Sequence, residues 1–339
     1  MNVLGCISKD TELLTPMGWI NIAEVTQETT VAQYFVLDEI GRVGFTKPNY
    51  LSNSMIEKAY RLVNYKKHVD QLIASHHCVL YNTYSNALIV TPSSNDLPIA
   101  SKIINSGYLI NPVGGVITAD ERIKVAIQAD GRISKRSKRT DGIIFRLKKP
   151  NKLDRIQKIL ANDDVNYKTY ASRIDGCSAF VYLARPDYYD KHFDWLDLTH
   201  VDYKWCMGFI DELSRWDSTV RKNENKGDRI QYYNCDVPSV NRAQAVAVLV
   251  GYRTCLSGRD RKPDRWNVSH TLSISDNRGV LVEQVKKILV DYNDIMYTVG
   301  VPSGFLITRR NNCVSVVPCF PTNKPYRMGK MIMNACPID

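Results

Sequence analysis

Two carboxylates stand where elementary electrostatics disfavours them. The stretch ERIKVAIQADGRI, residues 121–133, reads as an amphipathic helix that ends on Asp130, just before Gly131 and at the negative end of the helix dipole. A second stretch, FIDELSRWDST at 209–219, reads as the end of another helix and closes on Asp217, followed by Ser218. Basic segments follow each acid. GRISKRSKRT, 131–140, carries Arg132, Lys135, Arg136, Lys138 and Arg139; the strand-like FRLKK that comes next holds Arg146, Lys148 and Lys149. STVRKNENKGDRI, 218–230, carries Arg221, Lys222, Lys226 and Arg229, and SGRDRKPDRW, 257–266, carries Arg259, Arg261, Lys262 and Arg265. Lysine and arginine bond phosphates, and arginine also reads base edges. Each of these side chains is equally compatible with a plain solvated cation.

The elements that must carry these residues follow from start and stop signals. Thr118 followed by Glu121 fits a capping box, so the first helix is expected to begin there and to stop at Gly131. The second is expected to run from about Thr199 to Asp217, and Ala126, Ala129 and Gly208 offer small faces for close helix approach. A pair of ordinary core helices with acidic ends would carry the same pattern. A shift of 87 positions lays ADGRI (129–133) over WDSTV (216–220), IIFRL (143–147) over IQYYN (230–234), and DRIQ (154–157) over NRAQ (241–244). YKT at 167–169 meets YRT at 252–254 at a shift of 85. These matches, in register and in the order helix, strand, helix, predict a duplicated unit of roughly 85 to 90 residues.

Around this unit the chain reads differently. TELLTPMGWINIAEV, AYRLVNYK and QLIASHHCVLYNT are alternating or apolar runs broken by turn residues, and a further strand pair, 296–317, turns at Pro302, Ser303 and Gly304. Charge maps onto the same division. Lys+Arg outnumber Asp+Glu by 45 to 35 overall, but residues 116–290 hold 32 against 23, while 1–115 sum to −1 and 291–339 to +2. A basic, helical insert in a β-domain points to a polyanion-binding module, with a solvated basic surface as the plainer reading. The nine cysteines are scattered without a C-x-x-C pair, which argues against a disulfide framework or a zinc site. No run of about 18 apolar residues is present, and the N-terminus lacks the basic-then-apolar order of a signal peptide, so a cytoplasmic location without membrane contact is expected.

VAIQADGRI and FIDELSRWDST resemble the paired motifs of LAGLIDADG homing endonucleases, in the variants carried by inteins, over roughly residues 118–290. The resemblance implies two αββαββα units related by a pseudo-twofold axis, with Asp130 and Asp217 meeting at it. Such a pair would hold two or more shared Mg²⁺ ions, hard cations that take oxygen ligands and keep waters. These would activate water and stabilise the leaving oxygen in phosphodiester hydrolysis. It also implies a basic residue near the catalytic water, Lys148 by position; the partner of Lys148 in the second unit is Cys235, a departure that makes the halves unequal. Gln128, in place of an acid of the motif, is expected to be structural. The implied partner is double-stranded DNA, laid on saddle-shaped sheets and contacted by the basic residues above. Neutralising about 6 to 10 phosphates would cost about 10³ to 10⁵ in affinity between 50 and 200 mM salt.

CISKDTELLTPMGWINIAEV, from Cys6, resembles the opening block of Hint (hedgehog/intein) domains, and LIASHHCVLY the second block. The implied roles are a nucleophile for Cys6 and an amide-polarising group for His77, with Ala74 where threonine is usual. DIMYTVGVPSGFLITRRNNCVSVV, from Asp294, resembles the penultimate intein block. The ending departs from the pattern: Asn334 is followed by Ala335 and no His-Asn pair occurs. The expectation is an α+β chain with a split all-β Hint-like horseshoe (1–115 and 291–317), an inserted endonuclease (116–198 and 199–290) and a tail (318–339) of unassigned role. Its expected activity is site-specific, Mg²⁺-dependent cleavage of DNA by a monomer with no obligate protein partner, beside a splicing-deficient Hint part in which Cys6 and His77 are relics. The alternative is a self-processing intein whose endonuclease nicks weakly or only binds.

Overall fold

A computed structural model describes residues 7–35, 41–74, 78–83, 88–93, 96–97, 99–111, 114–134, 142–162, 167–171, 179–183, 191–222, 227–259, 269–276 and 279–319. The chain is α+β, mostly strand, with four α-helices among the described residues. Eleven strands come first: β1 (Ile7–Ser8), β2 (Glu12–Thr15), β3 (Gly18–Asn21), β4 (Val31–Phe35), β5 (Arg42–Thr46), β6 (Tyr50–Asn64), β7 (Asp70–Ala74), β8 (Cys78–Thr83), β9 (Leu88–Pro92), β10 (Ser101–Ile104) and β11 (Tyr108–Leu109). A first mixed unit follows, α1 (Ala119–Asp130), β12 (Gly131–Ser134), β13 (Gly142–Leu147), α2 (Pro150–Asn162), β14 (Tyr167–Ala171) and β15 (Ala179–Leu183). A second repeats it, α3 (Tyr203–Ser214), β16 (Ser218–Arg221), β17 (Arg229–Asn234), α4 (Val237–Val248), β18 (Arg253–Arg259) and β19 (Ser269–Ser275). Four strands end the described part of the chain: β20 (Gly279–Leu281), β21 (Val285–Gly300), β22 (Phe305–Arg310) and β23 (Cys313–Pro318).

The late strands pair with the early ones. β21 lies antiparallel to β6 along almost its whole length, and β1, β21, β6 and β7 close a barrel; β20 joins β10, and β22 joins β2 and β4. The two mixed units are therefore enclosed, in sequence, between halves of one β-framework. The divide expected at 290 falls inside β21. Alternation in VKKILVDYND carries the ladder back to Val285, opposite Asn64, and pairing with the early strands resumes at Gly279.

The two units share one topology, with strand orders β12-β13-β15-β14 and β16-β17-β19-β18. Their first two strands start 87 residues apart, as the internal repeat predicts. Each unit runs αββαββ, and no closing third helix follows among the described residues. Alternation drives Ile143, Phe145 and Leu147 of the first sheet, and Tyr232, Leu272 and Ile274 of the second, into a core shared with Ile123, Ile127, Phe209 and Leu213 of the helices. Burying each such side chain is worth about 1.5–3 kcal/mol. The capping box at Thr118 and Glu121 forms, and Glu121 Oε2 also accepts a bond from Trp205 Nε1 at 3.0 Å, tying the start of α1 to α3. Gly208 of α3 is required by this packing, because a Cβ there would stand 2.5 Å from Ile117.

One buried charge locks three helices together. Glu212 of α3 is fully buried, and its carboxylate accepts from Arg122 Nη1 of α1 at 2.8 Å, from Arg155 of α2 through both Nε (3.1 Å) and Nη2, and from Trp216 Nε1 at 2.9 Å. Burial alone would raise the pKa of this carboxyl, but the bonds from Arg155, Arg122 and Trp216 outweigh it and the net shift is downward. Its contribution is therefore full above the unfolded glutamate pKa and is lost as pH falls through the lower folded value. Glu212→Gln leaves two partly buried arginines without their carboxylate and should cost up to about 3–5 kcal/mol. Urea denaturation should show that loss near neutrality, and it should shrink on acidification; a variant as stable as the parent would contradict the lock.

Candidate functional site

The first helix hands Asp130 directly to a strand. Gly131 donates its N–H to Ile127 O, and β12 begins at that same residue. The glycine is there for close approach rather than for an unusual turn: its backbone is extended, and a Cβ would stand 2.7 Å from Ile127 Cα. The second helix differs from expectation. It runs from an Asp202 cap, whose carboxylate accepts from Trp205 N, only to Ser214, so Asp217 lies beyond the helix. The reason is local. Arg215 N–H folds back to Glu212 and Leu213 carbonyls, and Ser218 Oγ donates to Leu213 O at 3.0 Å, ending the helix early. Asp217 is then fixed through its backbone, which accepts from Tyr233 N at 3.0 Å.

Both aspartates converge on one ammonium. Lys152 Nζ of α2 stands 2.5 Å from Asp130 Oδ2 and 3.4 Å from Asp217 Oδ1, and 5.7 Å from the centre of the Trp216 ring. Its side chain is only 11% exposed. The Asp217 pKa is pushed up, first by burial and then by the charge of Asp130, against the opposing pull of Lys152 and Lys191. Lys152 was not singled out from sequence, although a signal exists. Positions 152, 155, 156, 159 and 160 form one helical stripe; Ile156, Ile159 and Leu160 are buried, so Lys152 and Arg155 put cations where core residues belong.

The other expected site residues are placed as follows. Lys148 is exposed, one residue beyond β13, and its repeat partner Cys235 is exposed too. Lys149, Lys152, Trp216, Asp217, Ser218, Thr219 and Tyr233 line an open cleft of about 510 Å³. Gln128 is buried and accepts a bond from Tyr232 Oη at 3.0 Å, within the core. Arg132 and Arg146 are exposed on one face of the first sheet, in neighbouring rows of the ladder. Lys222 is exposed just after β16. Arg259 ends β18. Cys6, His77, Lys135, Arg136, Lys138, Arg139, Lys226, Arg261, Lys262 and Arg265 lie outside the described residues, as do 320–339, including Asn334 and Ala335.

Register sorts the second sheet into a wet face and a dry one. Ile230, Ile274 and Thr254 form one row, ended at β16 by the exposed Val220, and Ser218, Tyr232, Leu272 and Leu256 form another; Thr254, Ile274, Tyr232, Leu272 and Leu256 of these rows are buried. On the opposite face, Arg221, Arg229, Ser275 and Arg253 align across the four strands, followed by Thr219, Gln231, Ser273 and Cys255, and then by Tyr233, Thr271 and Ser257. Asp217 adjoins this last row through Tyr233. The wet face is thus basic at one end and acidic at the other, about 13 Å apart at the rise of a strand.

The donors suit a hard divalent cation. Among the described residues no group of three or more His, Cys, Asp or Glu forms a complete ligand set. A carboxylate lining an open cleft, Asp217, with a second, Asp130, on the same ammonium suits Mg²⁺, which uses one or two carboxylates and keeps its waters, and Lys152 shows that the pair already draws a cation.

No family model matches this sequence. The ribonucleoside-diphosphate reductase subunit beta of Aquifex aeolicus (strain VF5) is 26% identical over 347 residues, covering 92% of this chain and 49% of the relative, so the chain spans about half the length of the curated relative it matches. Among solved structures, the AceL NrdHF class 3 split intein, in a splice-inactive variant, is 9% identical and covers 93% of this chain and 99% of that one, with a TM-score of 0.39. The homing endonuclease I-DmoI in complex with DNA and Mn is 13% identical, covers 46% of this chain and 89% of that one, and has a TM-score of 0.35. The N-terminal LAGLIDADG domain of DUF199/WhiA is 11% identical, covers 48% and 77%, and has a TM-score of 0.32.

If Lys152 is the resident counter-cation of the pair, Lys152→Met should tighten Ca²⁺ binding about tenfold, equivalent to about 1.4 kcal/mol. Isothermal titration calorimetry reads this directly, and an unchanged or weaker affinity would show that the ammonium does not compete for the site.

Proposed function

We propose that this chain is a metal-dependent endonuclease acting on double-stranded DNA, carried within a Hint-like β-framework. The observation that carries this reading is the convergence of Asp130 and Asp217, from equivalent places in two repeats, on a single shared cation. Counted as ionised, two carboxylates and one ammonium leave the site with a net charge of minus one, which repels a phosphodiester. Asp130 and Asp217 would therefore hold Mg²⁺. When bound, such an ion supplies an activated water and charge stabilisation for the leaving oxygen. Lys152 orients both carboxylates through its donated bonds, and Lys148 and Lys149, on the segment entering α2, are the cations for the phosphate and the attacking water. The wet faces of the two sheets, with Arg132, Arg146, Arg221 and Arg229, bind the backbone on either side of the scissile bonds.

Because both halves are in one chain, the active unit is a monomer. Its halves are unequal: Lys152 in α2 has Ser239 as its repeat partner, and Ser239 Oγ is taken up by Phe193 N at 3.2 Å. We expect one strand to be cut faster than the other. The β-framework is read as splicing-deficient, since Asn334 is followed by Ala335. A match to about half the length of a longer relative supports reading the chain as an element set within a larger polypeptide.

Asp130→Asn combined with Asp217→Asn should lower cleavage by at least about 10²–10³, the scale of losing a key charge-stabilising group, while leaving duplex binding in place. Selection of cleaved sequences from a randomised library, then nicking of a supercoiled plasmid bearing the selected site, measures this and the strand bias together. Full cleavage by the double variant would refute the assignment.

A further inference from the structure

The turn between β6 and β7, residues 65–68, stands against the wet face of the second repeat. Cys255 lies in the middle row of that face, on edge strand β18, and its Sγ contacts the carbonyls of Lys66 (3.8 Å) and Lys67 (3.6 Å). Cys313 of β23 donates to the same Lys67 carbonyl at 3.1 Å, so the turn is pinned both to the β-framework and to the repeat. It is also stiff. Asn64 Oδ1 accepts from His68 N at 2.7 Å and Val69 N at 3.2 Å, and Lys67 is held at φ +54° in the left-handed region.

The pinned turn carries charge outward. Tyr65 is 77% exposed, Lys66 and Lys67 are exposed, and Lys66 Nζ lies 5.4 Å from the Tyr65 ring centre. The row Arg221, Arg229, Arg253 runs across the sheet toward this turn. Arg229 donates to Ser273 Oγ and Arg253 to Gly279 O, and among the described residues neither these arginines, nor Arg221, Lys66, Lys67 or His68, pairs with an acid. Asp228 and Asp276 flank the row in sequence, and act on Tyr252, whose phenol is pushed up by burial and then by both of them. Burial, followed by Arg253, Lys66 and Arg229, pushes the His68 imidazole down to about 4, so these cations act on one place.

Four strands at ~4.8 Å spacing make a band ~14 Å wide, the axial rise of about four successive phosphates on one strand at ~3.4 Å each. Lys66 and Lys67 lengthen that band past the sheet edge. Building on the proposed DNA-binding function, we infer that residues 65–68 of the β-framework form a second contact for the phosphodiester backbone, which extends the duplex footprint beyond the second repeat. Tyr65 supplies an amphipathic face at its rim. The β-framework is then part of the DNA-binding surface and not only a carrier for the nuclease.

The test uses the full chain and a random-sequence duplex of about 30 base pairs, titrated by fluorescence anisotropy over a range of salt. Lys66→Ala with Lys67→Ala should flatten the slope of log affinity against log salt by about two, since each neutralised phosphate contributes about 0.9. Lys9→Ala with Lys47→Ala, whose parent lysines are paired with Asp294 and Glu28, removes the same two charges and controls for loss of net charge. A hydroxyl-radical footprint should shorten at one end only. An unchanged slope in the Lys66 and Lys67 variant, or an equal fall in the Lys9 and Lys47 control, overturns the inference and leaves the endonuclease reading standing. Absence of duplex binding by the parent chain overturns both.

Discussion

A single buried carboxylate sets the geometry on which the site depends. Glu212 receives α1 through Arg122, α2 through Arg155 and the post-helical turn of α3 through Trp216. Each bond fixes a chain segment that carries a member of the site: Asp130 ends α1, Lys152 lies one turn before Arg155 on α2, and Asp217 follows Trp216 directly. A charge with no exposure is tolerated only when all its lone pairs are engaged, so these segments cannot shift independently. The stacked pair Trp205 and Phe209, with Phe193 and Trp195 edge-on around them, adds apolar rigidity along the same buried face of α3, toward its start.

Duplication gave two similar units, but their outer helices have taken different tasks. α2 turns Lys152 and Arg155 toward the carboxylates. In α4 the equivalents are Ser239, which is buried, and Arg242, which donates to Leu196 O and packs beside Gly18 of the β-framework. Its neighbours point the same way: Asn241 and Gln244 accept from Arg309 of β22, and Gln244 donates to Asn312 O. Arg309 is nearly fully buried and is held in turn by Glu12 of β2. The second repeat is thus anchored to the framework through its outer helix, and the first serves the site. The asymmetry first visible at Lys148 and Cys235 runs deeper, through the whole face of a helix.

What was legible in the sequence is what local rules determine. The repeat could be read because its strands kept their spacing, the first helix because Thr118 and Glu121 form a cap, and the enclosed position of the repeats because a late hairpin had to find earlier partners. The misread features depend on contacts between distant segments. Ser218, read as the residue that follows a helix running to Asp217, instead reaches back to Leu213, and α3 ends at Ser214. The strand through residue 290 continues because β6 is long enough to pair with it. Lys152 was overlooked because an amphipathic pattern is read by its apolar members, and a cation in the stripe has meaning only once two carboxylates are known to lie opposite.

The same logic explains why the framework and the repeats should act as one surface. Arg309 and Gln244 bridge them through buried bonds, and Cys255, Cys313 and Lys67 bridge them again at the sheet edge. Two joints on different sides of α4 and β18 oppose rotation about either one. A turn held at two points presents Lys66 and Lys67 on a backbone that is already ordered, so binding costs side-chain entropy but little backbone entropy. A rigid positive band costs the protein self-repulsion, which adds to burial in holding the His68 imidazole down, and a polyanion lying along the band relieves that repulsion.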